Sequence, residues 1–333
     1  MLRSLSSRLL ISALLILSLF AATASLLLGP VDLGPARLWA AVIGQGDPIA
    51  QIILWELRLP RTLLGLIVGA MLGLAGAALQ GFLRNPLAEP SVLGTSNAAA
   101  LGAVAALYFG MAEWHPAILP AMAISTALLS LALLISLGGR TESALSLILA
   151  GIAVGTLAGA AISLSLNLSP NPFAAMEIMT WLMGSLENRS FQHLWIAAPC
   201  ILIGMALILW DARALDALTL GEEGAKSLGM NLKRTQYRLL AGTAIGVGGA
   251  VAVSGAIGFV GLIVPHLIRP LTDRSPSAIL LPSAIGGAAL LTLADVFVRI
   301  IPSSNELKLG VVTAFLGVPF FLIHLVRARR LWS

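Results

Sequence analysis

Residues 238–271 read RLLAGTAIGVGGAVAVSGAIGFVGLIVPHLIRPL, and the charged residues of this stretch, Arg238 and Arg269, lie near its two ends. A membrane span needs about 20 apolar residues, so the stretch is too long for one crossing and too short for two full ones. Glycines at positions 255, 258 and 261 indicate a break. We therefore expect a full helix over 239–254 and a short, proline-terminated helix through GFVGLIVPHLI, with buried irregular backbone between them.

The composition of the whole chain favours the same environment. Of the 333 residues, 58% are hydrophobic and 11% are charged, and the mean hydropathy is +0.95. Soluble globular proteins carry about 25% charged residues. The chain is therefore expected to be an integral membrane protein. Its net charge of +5 is typical of basic loops that orient a membrane protein, and it does not indicate nucleic-acid binding.

Further long windows without Asp, Glu, Lys or Arg follow one another along the chain. They cover residues 9–31, 62–83, 90–112, 114–139, 143–176, 190–210, 275–294 and 309–326. Each is long enough for one span. Together with the two helices of 238–271, they predict an all-α integral membrane protein, a compact bundle of ten transmembrane helices in which residues 1–333 form a single transmembrane domain.

The basic residues predict the orientation of this bundle. With the N-terminus in the cytoplasm, fourteen of the twenty Lys and Arg residues would lie on the cytoplasmic side, and an even number of spans places both termini there. Arg3, Arg8 and the triplet Ala22-Thr23-Ala24 also resemble a secretory signal with its cleavage site. Cleavage would leave nine spans and export the basic C-terminal tail, so the charge pattern favours retention.

The sequence lacks the residues that disulfide, metal and nucleotide sites require. The single cysteine, Cys200, excludes an internal disulfide, and the four histidines have no Cys or His at metal-ligand spacing. TLGEEGAKSLG, at 219–229, resembles a phosphate-binding loop, but Leu220 and Ala225 stand where that loop requires glycine. We therefore expect no metal site, no cofactor, no nucleotide bound by this chain and no enzymatic activity.

The predicted spans carry almost no ionisable residues. The nearest candidates, Asp295 and Glu177, are expected at helix ends in contact with water. Transport driven by protons or sodium usually needs such groups inside the membrane. The pattern thus indicates that any transport draws its energy from outside the bilayer. An ion-coupled secondary transporter or a membrane enzyme working through Asp295, Glu177 or His266 is the alternative from another class.

Two polar segments stand out against the apolar background. Residues 214–228 predict two short amphipathic helices on the cytoplasmic face, between spans 6 and 7. On the outer side, LRLPRT at 57–62 places Arg58 and Arg61 at the mouth of a span, and Arg299 follows in ADVFVR. These arginines either snorkel to lipid headgroups or form an exposed cationic patch that receives carboxylates from an external partner.

Glycines recur at four-residue spacing within the predicted helices. Examples are Gly65, Gly69 and Gly73, then Gly151, Gly155 and Gly159, then Gly242 and Gly246. This spacing allows helix backbones to approach closely, so we expect tightly packed helices in these regions.

Several long motifs together resemble one family. They are ILWELRLPRTLLGLIVGAMLGLAGAALQGFLRNPLAEPSVLGTS at 53–96, LGEEGAKSLG at 220–229, SGAIGFVGLIVPHLIRPL at 254–271, ADVFVR at 294–299 and ELKLGVVTAFLGVPFFL at 306–322. In order and extent they resemble the FecCD-type permeases, which are membrane subunits of binding-protein-dependent ABC importers for iron-siderophores, heme and cobalamin.

This resemblance implies partners and a location. A second permease copy would complete the translocation path, two ABC subunits would bind ATP and Mg, and a periplasmic or lipid-anchored binding protein would deliver the cargo. The complex would lie in the bacterial cytoplasmic (inner) membrane. Ferric siderophore is the first choice of cargo, with heme or cobalamin as alternatives.

The resemblance also implies roles for individual residues. Arg58, Arg61 and Arg299 would receive glutamates of the binding protein. A cytoplasmic gate would lie at Thr141, Glu142 and Ser143, although the family suggests small polar residues where Glu142 stands, and Lys308 replaces the usual proline of Glu-Leu-Pro. The ATPase-coupling residues would be Leu218, Gly221, Glu222, Glu223, Gly224, Ala225 and Leu228.

Overall fold

The computed structural model describes residues 7–45, 47–138, 144–302 and 306–329, and within them the chain is helical with no strand. The helices are α1 (Ser7–Leu27), α2 (Pro35–Val42), α3 (Pro48–Ile52), α4 (Leu59–Phe82), α5 (Thr95–Tyr108), α6 (Ile118–Gly138), α7 (Ala144–Asn167), α8 (Pro172–Leu182), α9 (Phe191–Trp210), α10 (Ala212–Leu218), α11 (Glu222–Ser227), α12 (Leu232–Ser254), α13 (Val260–Ile268), α14 (Pro276–Ile300) and α15 (Leu309–Arg329). A π-helical turn, Ile53–Arg58, joins α3 to α4.

Seven helical stretches in the described residues are long and apolar enough to cross a membrane. They contain α1, α4, α6, α7, α9, α12 and α14, and two shorter apolar stretches are Val260–Leu271 and Leu309–Leu322. The 14 residues of α5 extend only about 21 Å, less than the roughly 30 Å of a bilayer core. The chain is therefore a multi-pass membrane protein, whereas ten spans and cytoplasmic termini stay predictions.

The predicted break within residues 238–271 is confirmed. Helix α12 ends at Ser254 and α13 begins at Val260. Gly255 ends α12 with φ +69°, and a Cβ there would lie 2.3 Å from the carbonyl oxygen of Trp181. Only glycine tolerates both this backbone conformation and this contact. Helix α12 starts earlier than expected, at Leu232, because the Asn231 side chain accepts a hydrogen bond from the Arg234 amide at 3.0 Å and caps it.

The pair α4–α14 forms the centre of the bundle, and glycine brings its two backbones together. A Cβ on Gly69 would lie 2.3 Å from the Gly287 carbonyl oxygen, and one on Gly73 would lie 2.2 Å from that of Ser283. The expected close packing is thus confirmed for these glycines. Gly159 differs, because a Cβ there would have nothing within 4 Å.

Replacing Gly76 by alanine is expected to destabilise the fold, because the new Cβ would lie 1.9 Å from the carbonyl oxygen of Gly261 in α13. Backbone cannot rotate away as a side chain can, so the clash should cost about 1–3 kcal/mol. Thermal unfolding of the purified protein in detergent measures the effect. Gly159→Ala is the matched control: it has space for the Cβ and should leave the unfolding midpoint unchanged or raise it slightly, because alanine is the better helix former. Equal midpoints for the two variants would contradict the close α4–α13 contact.

Candidate functional site

A buried ion network lies where the N-terminal end of α4 meets the C-terminal end of α14. Asp295 of α14 accepts hydrogen bonds from Arg61 Nε at 3.0 Å and Nη2 at 2.8 Å. Arg299, one turn further along α14, forms an ion pair of 3.0 Å with Asp295 Oδ2, the oxygen that also accepts from Arg61 Nε. Arg61 also binds Glu306, just before α15, through Nη1 at 3.1 Å and through Nη2. Two arginines and two carboxylates therefore neutralise one another.

Two of the arginines also cap the end of α1. Arg58 donates hydrogen bonds to the carbonyl oxygens of Leu26 at 2.6 Å and Leu27 at 2.8 Å. Arg299 donates to the Ser25 carbonyl at 3.1 Å and to the Ser25 hydroxyl at 2.6 Å. The last carbonyls of a helix carry partial negative charge and lack partners within the helix. The first helix is thus an integral part of this network.

The expectation of an exposed cationic patch is wrong. Arg58, Arg61 and Arg299 are 4%, 9% and 8% exposed, because each guanidinium is drawn inward by carbonyls or carboxylates. The expectation that Asp295 meets water is also wrong, since it is 1% exposed. The three arginines instead line a cavity of about 220 Å³. We name this space the outer cavity; Glu187, Asn188, Arg189 and Glu306 line it too.

Lys308, just before α15, has a specific partner. Its ammonium nitrogen donates a hydrogen bond of 2.8 Å to Glu187, in the connection between α8 and α9. Glu306 and Lys308 thus tie the segment before α15 to two different parts of the bundle. The positive charge of Lys308 is paired with Glu187, which lines the outer cavity.

The opposite end of the bundle presents the short pair of helices that the sequence predicts. Helices α10 and α11 are separated by Gly221, which has φ +90°. We use the name coupling surface for residues 219–228. Leu220 and Leu228 are 68% and 59% exposed, and Glu223 is exposed. Two apolar side chains beside an acidic one are suited to contact a soluble protein.

The structure divides the predicted coupling residues into two groups. Leu218 and Ala225 are buried, so they support the surface and do not reach a partner. Gly221, Glu222 and Gly224 are half-buried, and the Glu222 carboxylate lies 3.8 Å from Arg84. Together with exposed Glu223 and Leu228, these residues form the accessible part of the predicted set.

Two aspartates that sequence analysis missed anchor the coupling surface to long helices. Asp211 is buried and accepts hydrogen bonds from Arg238 Nε at 2.7 Å and from the Thr235 hydroxyl at 3.2 Å, both on α12. Asp216 of α10 accepts from the Ser277 amide at 2.8 Å, in the first turn of α14. The predicted amphipathic pattern gave no signal for either contact, because both partners are distant in sequence.

The remaining candidate residues are not brought into one site. Thr141, Glu142 and Ser143 lie outside the described residues. Glu177 is exposed on α8, and His266 on α13 packs against the Phe320 ring with centroids 5.4 Å apart. Among the described residues, no group of three or more His, Cys, Asp or Glu side chains is placed to hold a metal ion.

Comparisons with known proteins identify relatives of this chain. The FecCD transport family matches residues 14–327. The vitamin B12 import system permease protein BtuC of Vibrio cholerae is 41% identical over 308 residues, covering 91% of this chain and 89% of that protein. The Uncharacterized ABC transporter permease protein YvrB of Bacillus subtilis is 38% identical, covering 86% and 82%.

A solved structure shares the fold. An inward-facing metal-chelate type ABC transporter superposes with a TM-score of 0.83 at 31% identity, covering 95% of this chain and 98% of that one. The sequence resemblance is therefore confirmed over nearly the whole chain, together with its implication of a separate ATPase and a substrate-binding protein. The chain belongs to the FecCD transport family, whose members are membrane permease subunits of ABC importers.

Proposed function

We propose that this chain carries an iron chelate, with a ferric siderophore as first choice, across the bacterial cytoplasmic membrane. Two copies form the path between them, and two ABC subunits bind ATP and Mg on the cytoplasmic side. A periplasmic or lipid-anchored binding protein delivers the cargo. This chain itself hydrolyses no ATP and holds no cofactor.

The anchored coupling surface is the observation that carries this proposal. Exposed Leu220 and Leu228 offer a contact for the ATPase, while Asp211 and Asp216, in the α10 segment that directly precedes this surface, bind α12 and α14. Movement imposed at this surface would therefore be passed to two long helices. The glycine contacts between α14 and α4 would carry it further, because tightly packed helices move together.

The outer cavity supports the docking of a binding protein. Its lining includes Arg58, Arg61 and Arg299, and cationic residues at an interface increase the rate and the specificity of association with an acidic partner. We include all three arginines in the docking site, as part of the cavity lining. Thr141, Glu142 and Ser143 are proposed as the cytoplasmic gate.

Helix α7 supports a path between two copies. Its exposed residues include Thr156, Ala160, Ser163 and Asn167, which follow one another at helical spacing. Small and hydroxyl side chains leave room and hydrogen-bonding groups for a polar cargo. Exposed Leu157 and Leu164, beside this stripe, offer an apolar surface for the second copy or for lipid.

Cobalamin is a second candidate cargo. The relative from Vibrio cholerae is described as a vitamin B12 permease and is 41% identical, whereas the structural neighbour is described as a metal-chelate transporter. Heme is a further alternative implied by the family. Measuring the uptake of ferric siderophore, cobalamin and heme under the same conditions separates these proposals.

Reconstitution tests the proposed function. The permease, its ATPase and its binding protein are placed in proteoliposomes, and uptake of radiolabelled ferric siderophore, cobalamin or heme is followed. We expect uptake only with ATP and all three components, and no ATP hydrolysis by the permease alone. Uptake that persists without the ATPase and stops when the proton gradient is dissipated would overturn the proposal in favour of a secondary transporter.

A further inference from the structure

One buried side chain of α4 binds both ends of the short helix α13. Gln80, in the last turn of α4, is 2% exposed. Its Nε2 donates a hydrogen bond of 3.2 Å to the carbonyl oxygen of Gly261, in the first turn of α13. Its Oε1 accepts a hydrogen bond of 3.1 Å from Arg269 Nη2, directly after α13. A single amide group therefore bridges the start and the end of α13 and fixes both to α4.

Further contacts join α13 to the same part of the chain. A Cβ on Gly76, one turn before Gln80, would lie 1.9 Å from the Gly261 carbonyl oxygen, so the two backbones touch. Glu89, which follows α4, accepts a hydrogen bond of 3.3 Å from the Phe259 amide, just before α13. A carboxylate is favourable there, because the first amides of a helix lack internal partners and carry partial positive charge. Closely packed elements move together, so α4 and α13 should behave as one unit.

The end of α4 beside Gln80 also meets the segment that carries the coupling surface. A Cβ on Gly81 would lie 3.8 Å from Cδ2 of Leu215, a buried residue of α10. Arg84, just past the end of α4, lies 3.8 Å from Glu222 on the coupling surface. Contacts thus run without a gap from α10 and the coupling surface to the end of α4, and through Gln80 to α13.

On its other side α13 contacts α15. A Cβ on Gly317 of α15 would lie 2.3 Å from Cγ of the Phe259 ring. The His266 ring of α13 packs against Phe320 with centroids 5.4 Å apart. Helix α13 therefore lies between α4 and α15, and a shift of α13 would be passed to α15.

We propose that Gln80 is a positioning residue of the transport cycle: it fixes α13 to α4, so that movement imposed at the coupling surface reaches α13 and α15. This inference rests on the proposed role of the coupling surface. Asp211 and Asp216 connect that region to α12 and α14. Gln80 adds a connection to the part of the bundle that follows the break at 255–259. Without its amide group, α4 would still move, but α13 would no longer follow it in a fixed position.

The test compares transport with ATP consumption in the intact complex. Permease, ATPase and binding protein are reconstituted in proteoliposomes, and ATP hydrolysis is measured together with uptake of radiolabelled cobalamin or ferric siderophore, whichever the wild type imports. Gln80→Leu neither donates nor accepts hydrogen bonds, and it should lower the number of cargo molecules imported per ATP about tenfold, because two buried hydrogen bonds are lost. Co-purification of the ATPase should be unchanged.

Gln192→Leu is the matched control, because Gln192 is exposed at the start of α9, and it should transport like wild type. If Gln80→Leu imports as many molecules per ATP as wild type, the assignment of Gln80 is overturned while the importer function stands. A parallel fall in uptake and hydrolysis would indicate general damage to the complex and would also overturn the positioning role. If wild type shows no ATP-dependent uptake, the importer function fails and this inference fails with it.

Arg269→Met replaces Gln80→Leu if that variant does not assemble. It removes the partner of Gln80 Oε1 and leaves the contact with Gly261, so uptake per ATP should fall less, about threefold for one lost hydrogen bond. Arg269→Lys keeps a donor and should restore most of the loss. Wild-type uptake per ATP in Arg269→Met would contradict the connection through Gln80.

Discussion

Replacing Asp295 by alanine is expected to lower the free energy of unfolding by about 3–5 kcal/mol, because it leaves two buried arginines without their shared carboxylate. Arg61 and Arg299 both bind Asp295 directly, and all three side chains are nearly excluded from solvent. Glu306 binds Arg61 directly and interacts with Arg299 only through its charge, without a direct ion pair. The direct contacts left to Arg299 would then be the Ser25 hydroxyl and carbonyl groups, which do not neutralise its charge.

Thermal or denaturant unfolding of the detergent-solubilised protein checks this expectation. Asp47→Ala is a suitable control, because Asp47 is exposed and only caps the short helix α3; it should cost about 1 kcal/mol. Asp295→Asn keeps the shape of the side chain and should still be strongly destabilised. An Asp295→Ala protein as stable as the Asp47→Ala control would show that the network contributes little.

A double variant separates the ion pair from the rest of the network. Asp295→Ala combined with Arg299→Leu removes a positive and a negative charge together, so fewer unpaired charges stay buried. Its loss of stability should be smaller than the sum of the two single losses. Additive losses would indicate that Asp295 and Arg299 act independently despite their 3.0 Å contact.

The combined substitutions Leu220→Asp and Leu228→Asp are expected to abolish ATP-dependent uptake. Both leucines are exposed on the coupling surface, and a carboxylate buried there against the ATPase would lose its hydration without gaining a partner. The loss should weaken assembly about tenfold or more for each substitution. Co-purification of the ATPase with the permease, followed by uptake in proteoliposomes, measures both consequences.

The fold of this double variant should be unchanged, because neither side chain belongs to the core. Trp114→Asp is the matched control: Trp114 is 75% exposed in the connection between α5 and α6, away from the coupling surface, and its replacement should leave assembly intact. Normal co-purification and uptake in the Leu220→Asp and Leu228→Asp variant would exclude this surface as the ATPase contact.

The sequence by itself determined those features that depend on local chemistry. Composition identified a membrane protein, the glycines near position 255 identified the break between α12 and α13, and the amphipathic pattern of residues 214–228 indicated two short helices. Each of these follows from hydropathy or from backbone freedom within a few residues. The long motifs identified the family because each is a contiguous run of residues that can be recognised without knowing the fold.

Only the tertiary structure decided the state of the charged residues. Arg61 and Asp295 are 234 positions apart in sequence, and nothing local to LRLPRT indicates that its arginines turn inward. The four-residue spacing of Asp295 and Arg299 on one helix was the available signal, because residues at this spacing lie on the same face. Whether a charge meets water or a buried partner depends on which distant segments pack around it. That packing holds Arg58, Arg61 and Arg299 inside the protein.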